Sequence, residues 1–389
     1  MKEALFLLGI SGLALAQPAS HAYIGAGGCA SSNCHGSTTA APAGESRILG
    51  NEYAIWSTID KHARTYKALE EARGKRMAEI LGIADATRDK RCTVCHAAGS
   101  PDKSRTDGVA CEACHGPGEG WLGSHTRPNS HEASVKAGMT DTKKLDIRAK
   151  TCLACHLGAA GQDVDHELIA AGHPDLAFEL DTFTAAQPAH HRAPAPNLRQ
   201  RAWAVGEAVG LAEAMRLVQT HEKSWPEYSD LECYQCHHDL RAESWRIQRG
   251  YAGRRPGTLQ INTARLEMVR ALVSVAAGEE RAAFDAAAGR LSASSPAASA
   301  KAIERIADAL ADRFQKQDID AAAVLKAVTS NIQRIANAGV SAAEQATMTL
   351  DALGSRPDAT KPLYDYLEHP SVYRPNEFAA MFQKAAANQ

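Results

Sequence analysis

The stretches Cys92-Thr-Val-Cys-His96 and Cys111-Glu-Ala-Cys-His115 decide how the first half of this chain folds. Both are Cys-x-x-Cys-His, and fifteen residues separate the end of one cysteine pair from the start of the next. Two thiols at this spacing can each add to a vinyl group of one porphyrin, and the adjacent histidine then reaches the iron from the proximal side. The pattern therefore predicts covalent attachment of c-type haem.

The pattern occurs five times and uses all 10 cysteines of the chain. Four copies are Cys-x-x-Cys-His, and the first copy, Cys29 to His35, is the looser Cys-x4-Cys-His. We therefore predict five covalently bound c-type haems, each with two thioether bonds and one proximal histidine. The predicted thioether residues are Cys29, Cys34, Cys92, Cys95, Cys111, Cys114, Cys152, Cys155, Cys233 and Cys236, and the proximal ligands are His35, His96, His115, His156 and His237.

Two other kinds of cysteine site share part of this pattern. The four cysteines of the second and third motifs also have the spacing of a zinc ribbon, which needs four thiolates around one ion. A ribbon gives no reason for a histidine after every second cysteine. A disulfide framework is typical of small secreted domains, and this chain has 389 residues. Both alternatives are therefore less favoured than haem.

The N-terminal residues have the features of a secretory signal. Ala4–Ala16 is an apolar run too short to span a bilayer, and Ser20-His21-Ala22 is a small-x-small cleavage pattern. Residues 1–22 are therefore predicted to be a signal peptide, and the protein to be periplasmic or extracellular. No other stretch is apolar enough to cross a membrane. The formal net charge of −2 argues against nucleic acid as a partner.

The distribution of the motifs divides the rest of the chain into two predicted domains, both mainly α. Residues 23–250 would form a loop-rich pentahaem cytochrome c domain, with the porphyrins supplying much of its apolar core. Residues 251–389 are rich in Ala, Leu, Arg and Glu and would form a helical bundle. The predicted helical runs are Asn197–Thr220, Thr263–Leu291, Ala300–Gln315, Ile319–Ala338 and Ala342–Leu353. Strand signals are nearly absent.

Each iron also needs a sixth ligand or an open face, and this decides between an electron carrier and an enzyme. His62 is the best placed candidate, because Ile55, Ile59, His62, Tyr66 and Leu69 would form one helical stripe. His125 follows the turn Gly116–Gly118, and His173 precedes Pro174, which favours an extended backbone. The distal candidates are His62, His125, His173, His166, His191 and His221. His190 is placed about as well as His166, His191 and His221, whereas His131 and His238 are less well placed.

Several of these stretches together resemble a known family. They are Ile55-Trp56, Asp60–Ala63, Asp89–His96, Gly108–Gly118, Gly123–His125 and Cys152–Leu157. In this order they are similar to the tetrahaem cytochrome c-554 family, whose type member accepts electrons from hydroxylamine oxidoreductase. The resemblance implies a mostly helical, loop-rich fold, closely packed haem pairs, a soluble electron-shuttle role, and distal ligation by His62 and His125. In that family the second haem in sequence is five-coordinate, which by position is the haem on His96.

The chain departs from the family in its longer first motif, its extra motif at Cys233–His237 and its C-terminal helical extension. The favoured function is electron transfer between redox partner proteins through closely packed, mostly bis-histidine haems. The alternative is a redox enzyme with one open haem acting on a small nitrogen or sulfur compound. Membership of a larger cytochrome assembly is a third reading. No motif has lysine in place of its histidine, a replacement that many such enzymes carry.

Overall fold

The computed structural model of the chain describes residues 21–42, 48–190, 197–224, 226–237, 259–291, 296–354 and 356–388. Nearly all of the predicted signal peptide, residues 1–22, lies outside these ranges, as do the candidate ligands His191 and His238. Within the described ranges the chain is mainly α, which confirms the predicted fold class.

Short helices joined by turns make up the part of the chain that carries the first four motifs. In chain order they are α1 (Glu52–Ile59), α2 (Thr65–Glu70), α3 (Ala72–Leu81), α4 (Lys90–His96), α5 (Cys111–His115), α6 (Leu122–His125), α7 (His131–Lys136), α8 (Leu145–His156), α9 (His166–Ala170) and α10 (Leu180–Ala186). A two-stranded antiparallel sheet lies between α8 and α9, with β1 (Gly158–Ala159) paired to β2 (Gln162–Asp163).

Longer helices follow. They are α11 (Asn197–Thr220), α12 (Ala264–Ala276), α13 (Arg281–Arg290), α14 (Ala297–Phe314), α15 (Ala321–Ser330), α16 (Ile332–Ala338), α17 (Val340–Leu353), α18 (Lys361–Leu367) and α19 (Pro375–Ala387). The helix that the sequence predicts over Asn197–Thr220 is observed with the same bounds. The predicted runs Thr263–Leu291 and Ile319–Ala338 are each two helices, with breaks at Ala277–Glu280 and at Asn331.

The predicted stripe through His62 is also interrupted, and this corrects the sequence interpretation. α1 ends at Ile59, and Asp60 has the extended backbone angles φ −75° and ψ 131°. A 3-10 turn, Lys61–Arg64, separates it from α2. The Asp60 side chain accepts a hydrogen bond from the His62 N–H at 2.9 Å, which begins the turn. His62 therefore lies in a capped turn, while Ile59 is 62% exposed.

Most residues of the apolar core belong to the second half of the chain, but the same core also includes residues of α8, which lies in the first half. Leu145, Ala149 and Leu153 on α8 belong to the same buried cluster as Trp203 on α11 and the C-terminal helices. α11 contacts both α8 and α14. The described residues before Leu145 contribute two small clusters, centred on Trp56 and on Leu69. The fourth motif is therefore supported by the helical bundle.

Among the described residues, no helix is long and apolar enough to cross a membrane.

Candidate functional site

Three of the cysteine motifs occupy the last turn of a helix. α4 ends at His96, α5 at His115 and α8 at His156. Residues three and four positions apart lie on the same face of a helix, so both cysteines and the histidine of each motif project to one side. The first and fifth motifs instead use 3-10 turns, Ala26–Cys29 and Cys233–Gln235. Each motif thus presents two thiols beside an imidazole.

A buried carboxylate joins the first and third motifs. Glu112, which lies inside the third motif, is 2% exposed. Its oxygens accept hydrogen bonds from the backbone N–H groups of Ile24 at 3.0 Å, Gly25 at 2.7 Å and Gly118 at 2.5 Å. A buried carboxylate is stable only when it is hydrogen-bonded. These contacts therefore fix the segment before the first motif, at Ile24 and Gly25, and the segment after the third motif, at Gly118.

Thiols of different motifs contact one another. The side chains of Cys29 and Cys111 interact, and this contact lowers the pKa of the Cys29 thiol to about 7. Cys95 and Cys155 interact in the same way, which lowers the pKa of the Cys155 thiol. Gln162 on β2 extends its amide nitrogen to both sulfurs of the second pair, 3.6 Å from Cys95 and 3.5 Å from Cys155. The first motif therefore lies beside the third, and the second beside the fourth.

The remaining cysteines differ in exposure. Cys34 and Cys236 are exposed, whereas Cys92, Cys114, Cys152 and Cys233 are half-buried, and no two of the ten cysteines form a disulfide. Burial raises the pKa of Cys114 to about 12, with a further contribution from the nearby Cys152 thiol. Burial also raises the pKa of Cys233 to about 11. Within the described residues, no group of three or more His, Cys, Asp or Glu side chains could hold a metal ion.

Four motif histidines each face a second histidine from elsewhere in the chain. The ring centroids are 6.3 Å apart for His35 and His125, 6.2 Å for His62 and His156, 6.4 Å for His96 and His173, and 6.1 Å for His166 and His237. Two imidazoles on opposite sides of one metal ion, each with a metal–nitrogen distance of about 2 Å, have centroids roughly 6 Å apart. The four pairs have this separation.

In five of these eight histidines, the ring nitrogen Nδ1 makes a hydrogen bond to a neighbouring oxygen. Nδ1 of His35 lies 3.0 Å from Glu52 and Nδ1 of His62 lies 2.9 Å from Asp60. The same atom donates to a backbone oxygen in His96 (Thr65, 2.8 Å), His125 (Leu122, 2.6 Å) and His173 (Pro174, 2.8 Å). Because these oxygens can only accept, Nδ1 carries the hydrogen and Nε2 keeps its lone pair for a metal.

The two carboxylates beside His35 and His62 are strongly acidic. Burial opposes ionisation of Glu52, but hydrogen bonds from His35 and from backbone N–H groups lower its pKa to about 2. Asp60 has the same balance, with hydrogen bonds from His62 that lower its pKa to about 2. Both groups are therefore anionic and orient the imidazoles through charge-assisted hydrogen bonds.

His156 has an apolar environment instead. Phe178 stacks on its ring at 5.1 Å, and Phe183 meets it edge-on at 5.3 Å. Burial lowers the pKa of His156 to about 4, so the ring is neutral, which is the form that binds metals.

The other candidate histidines lie in different surroundings. His221 has both ring nitrogens at carboxylates, with Nδ1 2.7 Å from Asp230 and Nε2 3.2 Å from Asp163. His131 directs Nε2 at Asp141, 3.0 Å away, and His190 donates from Nδ1 to the Pro188 carbonyl at 2.6 Å. The geometry of His221 favours a structural ion pair, and the ligand role predicted for it has no support from these contacts.

Sequence reasoning missed the residues that orient the imidazoles. Glu52, Asp60 and Thr65 bind ring nitrogens, and Trp121 packs edge-on against His125 at 5.1 Å. An Asp two residues before a histidine, as in Asp60-Lys-His62, is the one local signal that could have indicated such a role. The other contacts join residues that are distant in sequence.

The donors in this region fit c-type haem. The motifs place two sulfurs and one imidazole on the same side, and four of the motif imidazoles face a second imidazole at the separation that one iron requires. The sulfurs that could receive the porphyrin vinyl groups are unbridged.

Comparison with known proteins agrees with this chemistry. Residues 29–116 match the family described as cytochrome c554 and c-prime. Over 121 residues the chain is 33% identical to cytochrome c-554 of Nitrosomonas europaea, which is 26% of this chain and 50% of that protein. The predicted resemblance to the cytochrome c-554 family is thereby confirmed, and a cytochrome c of this type implies covalently bound c-type haem.

The chain spans half the length of the curated relative that it matches. No solved structure matches the chain. The fifth motif and the helices after it lie beyond the residues that the family model covers.

Proposed function

We propose that this chain is a multihaem c-type cytochrome that carries electrons between redox partner proteins through five covalently bound haems, most of them with two histidine ligands. The single observation that carries the proposal is the contact between cysteines of different motifs. Covalent haem, when bound, supplies reversible one-electron exchange at its iron. The protein's part is to hold these groups side by side.

The contacts define an order of motifs. Cys29 of the first motif meets Cys111 of the third, and Cys95 of the second meets Cys155 of the fourth. Cys152 of the fourth motif lies close enough to Cys114 of the third to raise the pKa of the Cys114 thiol. Groups attached at these sulfurs would be neighbours in the order first, third, fourth, second. A continuous series of neighbouring haems suits electron transfer along the series better than catalysis at one isolated haem.

The histidine pairs support low-spin iron with two imidazole ligands. His125 would complete the site of the first motif, and His62 that of the fourth, because each ring faces the motif histidine at the required separation. Glu52 and Asp60 hold one ring of each pair through Nδ1. A fixed imidazole reduces the rearrangement that accompanies a change in iron charge, which favours fast electron exchange.

We also propose the division of the chain and its location. Residues 1–22 would be an export signal, 23–250 the haem-carrying domain and 251–389 a helical domain, with the mature protein in the periplasm or outside the cell. The helical domain would hold α8, because Leu145 and Leu153 on α8 are buried in the core that those helices share. Its further role would be to present a surface to a partner or to the rest of a cytochrome assembly.

Holoprotein matured with covalent haem tests this function. Intact mass is expected to show five haems, and the Cys233→Ser/Cys236→Ser variant four. In stopped flow, all haem absorbance of the reduced protein is expected to reoxidise with a soluble one-electron acceptor. Fewer than five haems in the wild type would contradict the predicted number. Sustained turnover of nitrite or hydroxylamine would instead favour an enzyme.

A further inference from the structure

We infer that one short segment, His166–His173, supplies the sixth iron ligand at two haems: His173 at the haem on His96, and His166 at the haem on His237. The inference rests on the proposed five-haem cytochrome and assigns pairings that the proposal leaves open. It also departs from the cytochrome c-554 resemblance, in which the second haem of the sequence has an open face. The segment lies outside residues 29–116, the part that matches the family.

His173 is held in position to face His96. The two ring centroids are 6.4 Å apart, and the ring planes are at 86°. The His173 backbone N–H donates to the Leu168 carbonyl at 2.9 Å, and its Nδ1 donates to the Pro174 carbonyl at 2.8 Å. Gly172 lies in the turn between α9 and His173 and has φ +114°, a backbone conformation that favours glycine.

The turn is also fixed to the family-like part of the chain. The guanidinium of Arg73 on α3 donates two hydrogen bonds to the Gly172 carbonyl, one of them at 3.1 Å. On the other side, Nδ1 of His96 donates to the Thr65 carbonyl at 2.8 Å, and the Thr65 hydroxyl donates to the His96 carbonyl at 2.9 Å. Both imidazoles therefore have Nδ1 bound and Nε2 available for one iron.

His166, at the other end of the segment, faces the fifth motif. Its ring centroid lies 6.1 Å from that of His237, with the planes at 31°, and Tyr228 packs edge-on against it at 5.6 Å. The His166 N–H donates to Glu227 at 3.0 Å, which ties α9 to the turn that leads to Cys233. Asp165 begins α9 by accepting the Leu168 N–H at 2.9 Å.

An ion pair connects this end of the segment to the second motif. Arg91, which precedes Cys92 on α4, forms a salt bridge with Asp165 and a second one with Glu167 at 3.2 Å. The segment is thus anchored at α4, at α3 and at the turn before the fifth motif. Its two histidines would complete neighbouring iron sites, so that the extra haem joins the series beside the second haem.

Low-temperature EPR of the oxidised full-length holoprotein tests the assignment, with intact mass giving the haem count. His173→Ala is expected to keep the haem count and to add one equivalent of high-spin iron to the wild-type spectrum, and added imidazole is expected to remove it. His166→Ala should add one equivalent at the other site, and the double variant two. His131→Ala, which removes a histidine bound to Asp141, is the matched control and should add none.

His173→Met covers the case in which the alanine variant does not mature. Methionine can still bind iron, so this variant should stay low-spin with a raised potential at one haem. Unchanged potentials in His173→Met, or an unchanged high-spin content in His173→Ala, would overturn the inference. In both cases a wild type with five haems would leave the proposed function standing. A wild type with fewer than five haems would contradict the proposed function itself.

Discussion

The rings of His62 and His156 face each other with centroids 6.2 Å apart and planes at 84°. His62 lies in a turn fixed by Asp60, whereas His156 ends a helix whose opposite face is buried in the helical core. The pair therefore joins the loop-rich part of the chain to the bundle. Its geometry depends on one carboxylate and on the packing of α8, and both can be tested.

Replacing Asp60 by Asn should raise the reduction potential of the haem that we propose on His156. The carboxylate, 2.9 Å from His62 Nδ1, increases the electron density of that imidazole and so stabilises ferric iron. If the neutral amide loses about 1 kcal/mol of this interaction, the potential rises by roughly 40 mV. A potentiometric titration of the haem absorbance measures the shift.

Asp141→Asn is the matched control, since Asp141 lies 3.0 Å from Nε2 of His131, the ring nitrogen that a ligand to iron would need free. Its titration curve should coincide with that of the wild type. Coincident curves for Asp60→Asn and the wild type would contradict a ligand role for His62.

Truncation of Leu153 should destabilise the protein and disturb the fourth motif together. Leu153 is 1% exposed, lies on α8 and precedes Cys155 by two residues. Leu to Ala at a buried site costs about 2–5 kcal/mol in the free energy of unfolding. Chemical unfolding followed by circular dichroism gives this value. Ile80→Ala, at a residue 52% exposed on α3, should change it by no more than about 0.5 kcal/mol.

Two glycines of the second half should respond oppositely to substitution by alanine. Gly339 has φ +128°, and a Cβ there would collide with the carboxylate of Glu232, next to the fifth motif. Gly339→Ala should therefore lower the free energy of unfolding by about 1–3 kcal/mol. Gly289 lies on α13 with open space around it, so Gly289→Ala should raise the same quantity by roughly 0.5–1 kcal/mol. Equal effects at the two positions would contradict the described backbone of Gly339.

The ion pair of His221 should stabilise the fold in a defined pH range. Hydrogen bonds to Asp163 and Asp230 raise the pKa of His221 from 6.5 to about 10. A raised pKa in the folded state means that the stabilisation is complete below pH 6.5 and is lost as the pH rises through about 10. At pH 6, His221→Gln should lower the free energy of unfolding by about 2 kcal/mol, as expected for charged hydrogen bonds.

The difference between His221→Gln and the wild type should shrink steadily over that range, and urea unfolding at several pH values measures it. Adding Asp163→Asn to His221→Gln should have little further effect at pH 6, because the pair is already broken. A difference that is the same at pH 6 and pH 10 would contradict the ion pair.

Regular helices were the most predictable part of the fold. Asn197–Thr220 was predicted with its observed bounds because no proline interrupts its run of apolar residues. Thr263–Leu291 was predicted as one run, yet the chain turns at Ala277–Glu280, where Gly278 weakens the helix. At Asp60 the aspartate side chain competed with the helix by accepting the His62 N–H.

The cysteine motifs could be read from local spacing, whereas the histidine pairs could not. The spacing fixes how two thiols and one imidazole approach a single group. The partner of each motif histidine depends on how distant turns pack, as with Gly172, whose carbonyl is held by Arg73. For the same reason the sequence could not distinguish His173 from His221, whose two nitrogens are occupied by carboxylates.

An anomalous diffraction map of the oxidised holoprotein at the iron absorption edge tests the central claim most directly. We expect five iron positions, four of them between the paired rings of His35 and His125, His62 and His156, His96 and His173, and His166 and His237. The first four motifs should carry their irons in the order first, third, fourth, second. Fewer than five irons, or an iron on His62 or His156 that is not shared by both rings, would contradict the account.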